Sequence, residues 1–335
     1  MYNSSQTNER LSMSKTKVRL RFEWFEPWFI KQDNFITDLF EKELFEVEVY
    51  EDATAKVDFE FVSVYPPLKR DFYARAQRLR TRLPVWQRDT TESYPMEFRP
   101  NTQNFKTRIW YTSENIRPPF QKDFDLFFSF DQDTYRGTNF YLPLWQLHLD
   151  HQEKHGRPLN PNSALGRQIS NAVLLEKREL PKNLFKQRDF ACVFMANPQP
   201  TRLRLIEELG KYGNVDVYGL YSGKSARNKY EIVKNYNFMI CPENDLFPGY
   251  VTEKLLDAYM CDVVPLYWGD LGSDEYINQR SFLNLNNFHS LEDFSSHVAD
   301  LDEHSYTKIY NQPFLKKAVD LIKIKTALTS KLPLQ

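Results

Sequence analysis

No stretch of the 335-residue sequence approaches the roughly 20 consecutive apolar residues that a membrane-spanning helix needs, which predicts a soluble chain. The polar start MYNSSQTNERLSMSK has no apolar h-region, so it does not read as a secretory signal, and residues 1–15 are expected to fray. Cysteine is scarce. Cys192, Cys241 and Cys261 are odd in number and match no zinc-ligand spacing, which argues for a reducing compartment. Net charge is nearly absent as well: 44 Lys plus Arg against 45 Asp plus Glu leave −1. No global field then draws the chain to nucleic acid, and any anion must be held locally. No internal repeat or low-complexity tract is evident.

What is present is apolar and aromatic, 41% and 15% of residues, enough to bury a large core and to exclude wholesale disorder. The length fits two domains of roughly 150 residues. Alternation predicts a strand over Val18–Phe25, with Val18, Leu20, Phe22 and Trp24 on one buried face. A helical segment near Asp33–Lys42 follows, then strands over Phe45–Tyr50, Asp58–Tyr65, Arg108–Thr112 and Phe124–Phe130. Prolines and polar residues between Arg157 and Arg188 suit a connector with one short helix. The second half alternates more plainly. Strand Phe190–Ala196, a helix to Tyr212, strand VDVYG, a helix to about Asn235, strand YNFMIC, a helix from Val251 and strand VVPLYW predict a parallel sheet with ligands beyond its carboxyl edge.

Several patterns resemble sites without completing one. The run Gly219–Ser225 sits where a phosphate loop would, but it is one residue too short to curve its amides around a phosphate, so a plain turn is expected. Asp131-Gln132-Asp133 would suit a divalent ion on a nucleotide diphosphate, yet two acids around one residue are weak evidence, and a structural or acceptor-side role is favoured. His148, His151 and His155 share helical spacing with no carboxylate or cysteine to complete a metal site, which predicts a surface helix face. The basic stretch 69–88, with Arg70, Arg75, Arg78, Arg80, Arg82 and Arg88, reads as a solvated helix face, with docking on anionic lipid or glycan as its functional alternative.

Two cations are harder to explain. Arg202, with Leu205, Ile206 and Leu209, occupies positions i, i+3, i+4 and i+7 on the inward stripe of the helix opened by Pro200. A cation in the first turn opposes the helix dipole at about 0.3–1 kcal/mol unless an anion intervenes. Lys254 poses the same puzzle in the next helix but one. Pairing with an acid such as Glu253 explains either cation alone; both together at one sheet edge suggest a diphosphate.

The run CPENDLFPGYVTEKLLDAYMCDVVPLYWGD (Cys241–Asp270) resembles the signature of the α-1,3/4-fucosyltransferases, glycosyltransferase family 10. The likeness continues in INQRSFLNLNNF and around Arg202. WYTSENIRPPF (Trp110–Phe120), FDLFFSFDQD and YLPLWQLH resemble the acceptor-side segment of its bacterial members. It spans about residues 108–290 in separated blocks, whereas 18–100 match only in alternation. Departures are Pro242 and Asp245, where the family usually has an aromatic and Ser or Thr, and Ser113 in place of a glycine.

That resemblance implies a GT-B fold, two Rossmann-like α/β domains facing across a central cleft. Residues 16–157 would form the acceptor-binding domain, 158–187 a linker region, 188–310 the GDP-fucose-binding domain, and 311–335 a C-terminal helical segment packing back toward the first domain. It implies an inverting fucosyltransferase with GDP-fucose as donor and no required metal or other cofactor. Glu114 matches the general base, and Arg202 and Lys254 the phosphate-contacting cations. Glu253 matches the carboxylate beside the fucose ring, and Asn244 and Tyr250 line the nucleotide. The acceptor would be GlcNAc, or glucose, in an oligosaccharide or lipopolysaccharide-type glycan, with α-1,3 linkage. The expected location is the cytoplasm, with peripheral contact at the inner face of the membrane. Alternatives are a catalytically inactive glycan-binding protein on the same fold and a transferase using another nucleotide sugar.

Overall fold

Residues 15–25, 29–65, 102–112, 114–118, 123–151, 156–158, 163–196 and 198–332 are described by a computed structural model. The first half contributes β1 (Thr16–Glu23), β2 (Phe45–Val49), β3 (Val57–Val62), β4 (Phe105–Tyr111), β5 (Leu126–Ser129) and β6 (Asn139–Tyr141). All pair in parallel, in the order β2-β1-β3-β4-β5-β6. The second half contributes β7 (Asp189–Phe194), β8 (Val215–Tyr218), β9 (Tyr236–Pro242), β10 (Val264–Trp268) and β11 (Leu283–Asn284). They too are parallel, in the order β11-β10-β9-β7-β8. Numbered within each half, the second sheet therefore runs 2-1-3-4-5 and the first runs the same with a sixth strand at its end. The order reverses between β1 and β3 in one and between β7 and β9 in the other, and such reversals open the crevices in which α/β sheets bind ligands.

The central strands β3 and β9 are buried along their whole length, as parallel sheets covered on both faces require. Alternation in β1 places Val18, Leu20 and Phe22 in the core, as expected. The opposite face is solvated at Lys17 and Arg19 but not beyond: Arg21 is fully buried there and shares the buried Glu60 carboxylate with Arg108, at 2.9 and 2.7 Å. One apolar cluster runs from Val18 through Phe61, Leu142 and Trp145 to Leu255, Phe314 and Leu328, so the two halves share a core.

The helices are α1 (Asn171–Leu175), α2 (Leu184–Gln187), α3 (Pro200–Gly210), α4 (Lys229–Val233), α5 (Glu253–Met260), α6 (Leu291–Ala299), α7 (Glu303–Tyr310) and α8 (Ile322–Thr329). The helix expected over Asp33–Lys42 is only a 3-10 turn at Thr37–Leu39. Asn34 explains the loss, because its Oδ1 accepts from the Ile36 and Thr37 amides while Thr37 Oγ1 returns a bond to the Asn34 carbonyl. Such local bonds offer the backbone an alternative to a helix. The connector holds two short helices, α1 and α2, rather than one. From Asn311 the chain runs irregularly before α8, placing Phe314 edge-on to Trp145 and pairing Lys325 with Glu41 at 3.4 Å. Among the described residues no helix is long and apolar enough to cross a membrane.

The halves meet along a seam beside the cleft. Gln132 donates to the Leu271 carbonyl and accepts from the Ser273 amide, at 3.0 and 2.7 Å, and Tyr141 donates to the Gly249 carbonyl at 3.2 Å. Gly249 adopts φ +85°, and a Cβ there would lie 2.5 Å from the Phe130 carbonyl oxygen. Gly249→Ala should therefore lower stability by more than about 1 kcal/mol, read as a reduced urea midpoint at unchanged slope.

Candidate active site

The carboxyl ends of β7 and β9, the reversal point of the second sheet, bring Arg202, Asn244, Tyr250 and Lys254 together. Arg202 enters from the first turn of α3, where Pro200 starts the helix and Leu205 and Leu209 anchor its inner face. Only 6% exposed, it donates to Asn244 Oδ1 at 2.5 Å and to the Pro242 carbonyl at 3.4 Å. Asn244 Nδ2 in turn donates to the Tyr250 hydroxyl at 3.2 Å. This chain of bonds fixes the guanidinium at the mouth of the crevice.

Lys254 lies in the first turn of α5, and its acid partner is Glu243, not the adjacent Glu253. Glu243 is fully buried just beyond β9. Its carboxylate accepts from the Thr252 amide and hydroxyl, each at 2.8 Å, from Lys254 at 3.1 Å and from Tyr267 at 3.4 Å. One buried anion thus stitches β9, β10 and the start of α5 together and aims the ammonium, whose remaining donor bond goes to Thr252 Oγ1 at 2.8 Å. Burial works against the Lys254 charge, but Glu243 and Glu253 more than offset it and hold its pKa above the usual lysine value.

Glu253 is the second carboxylate of this corner. Burial would raise its pKa, yet the charges of Lys254, Lys229 and His148 bring it down to about 2. Lys229 lies buried against Asp257, 2.6 Å away, and Asp257 is one turn along α5 from Glu253. The expectation of a surface histidine helix does not hold. A 3-10 helix ends at His148, whose imidazole is held below its usual pKa by burial beside Asp257 and Glu253. His151 turns inward to the Gln146 carbonyl at 3.0 Å. His155 and the basic stretch 69–88 lie outside the described residues.

Across the cleft, Glu114 follows β4. The Tyr65 hydroxyl, just beyond β3, donates to its Oε1, and the Glu114 amide donates to Thr112 Oγ1 at 3.1 Å. The Tyr250 phenol is pushed up first by burial and then by the charges of Glu114, Glu243 and Glu253, so Glu114 lies within electrostatic reach of the donor corner. Asp131 is buried, accepting from Arg117 at 3.0 Å and Tyr135 at 2.8 Å, while Asp133 caps the Tyr135 amide at 2.9 Å. These are structural bonds, and no metal-ligating cluster occurs among the described residues. Gly219–Ser225 is a closed turn, Gly223 donating to the Gly219 carbonyl at 3.0 Å and Lys224 folding back on Asp216 at 2.8 Å.

Glu243 and Tyr65 were not singled out in the sequence. Glu243 had one signal, a carboxylate immediately after a continuously apolar strand that must be central; Tyr65 had only its place at a strand end. Because the folded pKa of Glu253 is depressed, its charge contributes stability above pH 4.5 that is lost as pH falls toward about 2. Urea unfolding across that window should show a loss in the wild type that is smaller in Glu253→Gln.

Comparison with known proteins bears on the fold and on the family likeness. Residues 185–322 match the family model described as glycosyltransferase family 10 (fucosyltransferase) C-term. The alpha-(1,3)-fucosyltransferase FucT of Helicobacter pylori is 29% identical over 223 residues, 60% of this chain and 45% of that protein, so the match spans less than half of the relative. A crystal structure of an alpha1,3-fucosyltransferase with GDP superposes with a TM-score of 0.66 at 20% identity, covering 97% of this chain and 92% of that one. Another, with GDP-fucose, gives 0.63 at 18% identity, covering 97% and 92%. The architecture is therefore GT-B, and residues 185–322 resemble the C-terminal domain of the family 10 glycosyltransferases, the fucosyltransferases.

Proposed function

We propose that the protein transfers L-fucose from GDP-fucose to a hydroxyl of GlcNAc or glucose in a glycan acceptor, with inversion and α-1,3 linkage. The observation that carries this reading is the pair of pre-aimed cations, the buried Arg202 and the half-buried Lys254, at the reversal point of the second sheet, faced across the cleft by Glu114. The choice of sugar nucleotide is supported by the solved neighbours, one of which holds GDP and another GDP-fucose.

In this mechanism the acceptor oxygen forms a bond to the anomeric carbon while the bond from that carbon to the diphosphate breaks. The hydroxyl proton passes to the Glu114 carboxylate, which Tyr65 orients. The electron pair of the broken bond leaves with GDP, and Arg202 and Lys254 take up its charge, the guanidinium through paired donors and the ammonium as a point charge. Base and leaving-group cations come from opposite halves, which suits single displacement with inversion, in which nucleophile and leaving group lie on opposite faces of the anomeric carbon. Glu253, held ionised, would stabilise positive charge on the sugar ring and hydrogen-bond its hydroxyls.

Two measurements test the assignment. Glu114→Gln keeps shape and hydrogen bonding but cannot accept the proton, so turnover should fall by roughly 10²–10⁴ while GDP affinity hardly moves. Near-wild-type turnover in that folded variant would remove Glu114 as the base. Arg202→Ala and Lys254→Ala should each weaken GDP binding by about 10- to 100-fold in calorimetry, the loss of one charge-assisted hydrogen bond. Unchanged affinity in both would take them out of the phosphate site.

A further inference from the structure

Two contacts tie the segment carrying Glu114 to the donor-side loop Asn244–Tyr250. Asn115 Nδ2 donates to Asp245 Oδ2 at 3.0 Å, and the Arg117 guanidinium lies over the Phe247 ring, 4.7 Å from its centroid. Neither end of these contacts is loose. The other oxygen of Asp245 accepts from the Leu246 amide at 2.8 Å, which fixes the carboxylate on its own loop. Arg117 is held by Asp131 at 3.0 Å and Tyr135 at 2.8 Å, and Phe247 also packs edge-on against Phe130, centroids 5.4 Å apart. The loop is pinned at both ends: Asn244 to Arg202 on the donor side, and Tyr250 to Asn244 and, ring to ring, to Phe130 of the first half at 5.0 Å. Any ligand that engages Arg202, Asn244 or Tyr250 therefore acts on a short loop whose middle grips the residue next to Glu114.

We propose that Asn115 and Asp245 are a positioning pair that couples occupancy of the donor site to the placement of Glu114. Neither touches the reacting atoms. Their hydrogen bond joins the two halves at the point where a small displacement would move the base away from the acceptor hydroxyl, and proton transfer is steeply sensitive to such displacement. The proposal rests on the transferase reading above, and one of its tests does not use turnover.

Asn115→Ala and Asp245→Ala should each lower kcat about tenfold, with GDP affinity within about twofold of wild type, and the double variant should be no worse than either single, the mark of residues acting as a unit. Asn115→Asp sets two carboxylates against each other and should lose as much, and adding Asp245→Asn, which exchanges the pair, should restore turnover. Without any acceptor, GDP should slow amide hydrogen exchange over residues 114–117 in the wild type and fail to do so in Asp245→Ala. Additive losses, no rescue by the exchanged pair, or undiminished GDP protection in Asp245→Ala would overturn the coupling. A wild type that binds GDP and turns nothing over would sink the transferase reading alone, since the exchange measurement still decides the pair. If Asp245→Ala does not fold, the exchanged pair and Asn115→Ala carry the same comparison.

Discussion

The donor side depends on one buried charge. Glu243 has no access to solvent, and burying a carboxylate is tolerable only when its oxygens are bonded and its charge is answered. The Thr252 amide and hydroxyl, Tyr267 and Lys254 meet those demands from three elements. The requirement runs in both directions. Lys254 points into the crevice because Glu243 needs it, and α5 starts where it does because Thr252 is held at the strand end. Arg202, Asn244 and Tyr250 form a second hydrogen-bonded chain beside the first. An anion entering the crevice meets cations already oriented, so little reorganisation is needed when it binds.

The same constraint explains how much of the molecule was legible in its sequence. The longer strands of both sheets follow from continuous or alternating apolar runs, because burial on two faces leaves that pattern in the residues themselves, whereas the short edge strands β6 and β11 leave too few residues to carry it. Arg202 and Lys254 were legible as exceptions: each breaks a local rule, a cation where the helix dipole disfavours it. Glu243 breaks no local rule. Its meaning lies in what three other elements bring to it, and a linear reading sees only an acid between a proline and an asparagine. Tyr65 is hidden for the same reason, since its partner Glu114 is 49 residues away and meets it only because β3 pairs with β4.

Where local chemistry misled, the competing interaction can be named. Helical spacing over Asp33–Lys42 yields to the Asn34 side chain, which captures the amides a helix would need. His148 and His151 share a helical spacing but not a helix. His148 belongs to the buried ionic corner beneath Glu253 and Asp257, where a neutral or cationic ring changes the balance of charge around Lys229. Alternation in β1 also promised a solvated face, whereas Arg21 and Arg108 are drawn inside by Glu60.

The shared apolar cluster has a consequence for how the chain gains and loses its structure. Val18 and Phe61 of the first sheet lie in the same continuous core as Leu255 of α5 and Leu328 of α8, the latter contributed by the far end of the chain. Part of each half's apolar surface is covered by the other, and the C-terminal segment joins a layer begun some 300 residues earlier, at a contact order that makes assembly slow. Unfolding should accordingly be one cooperative event rather than two, despite two separate sheets. Synthesis of the first half would leave it waiting for its last few turns of helix before its core is closed.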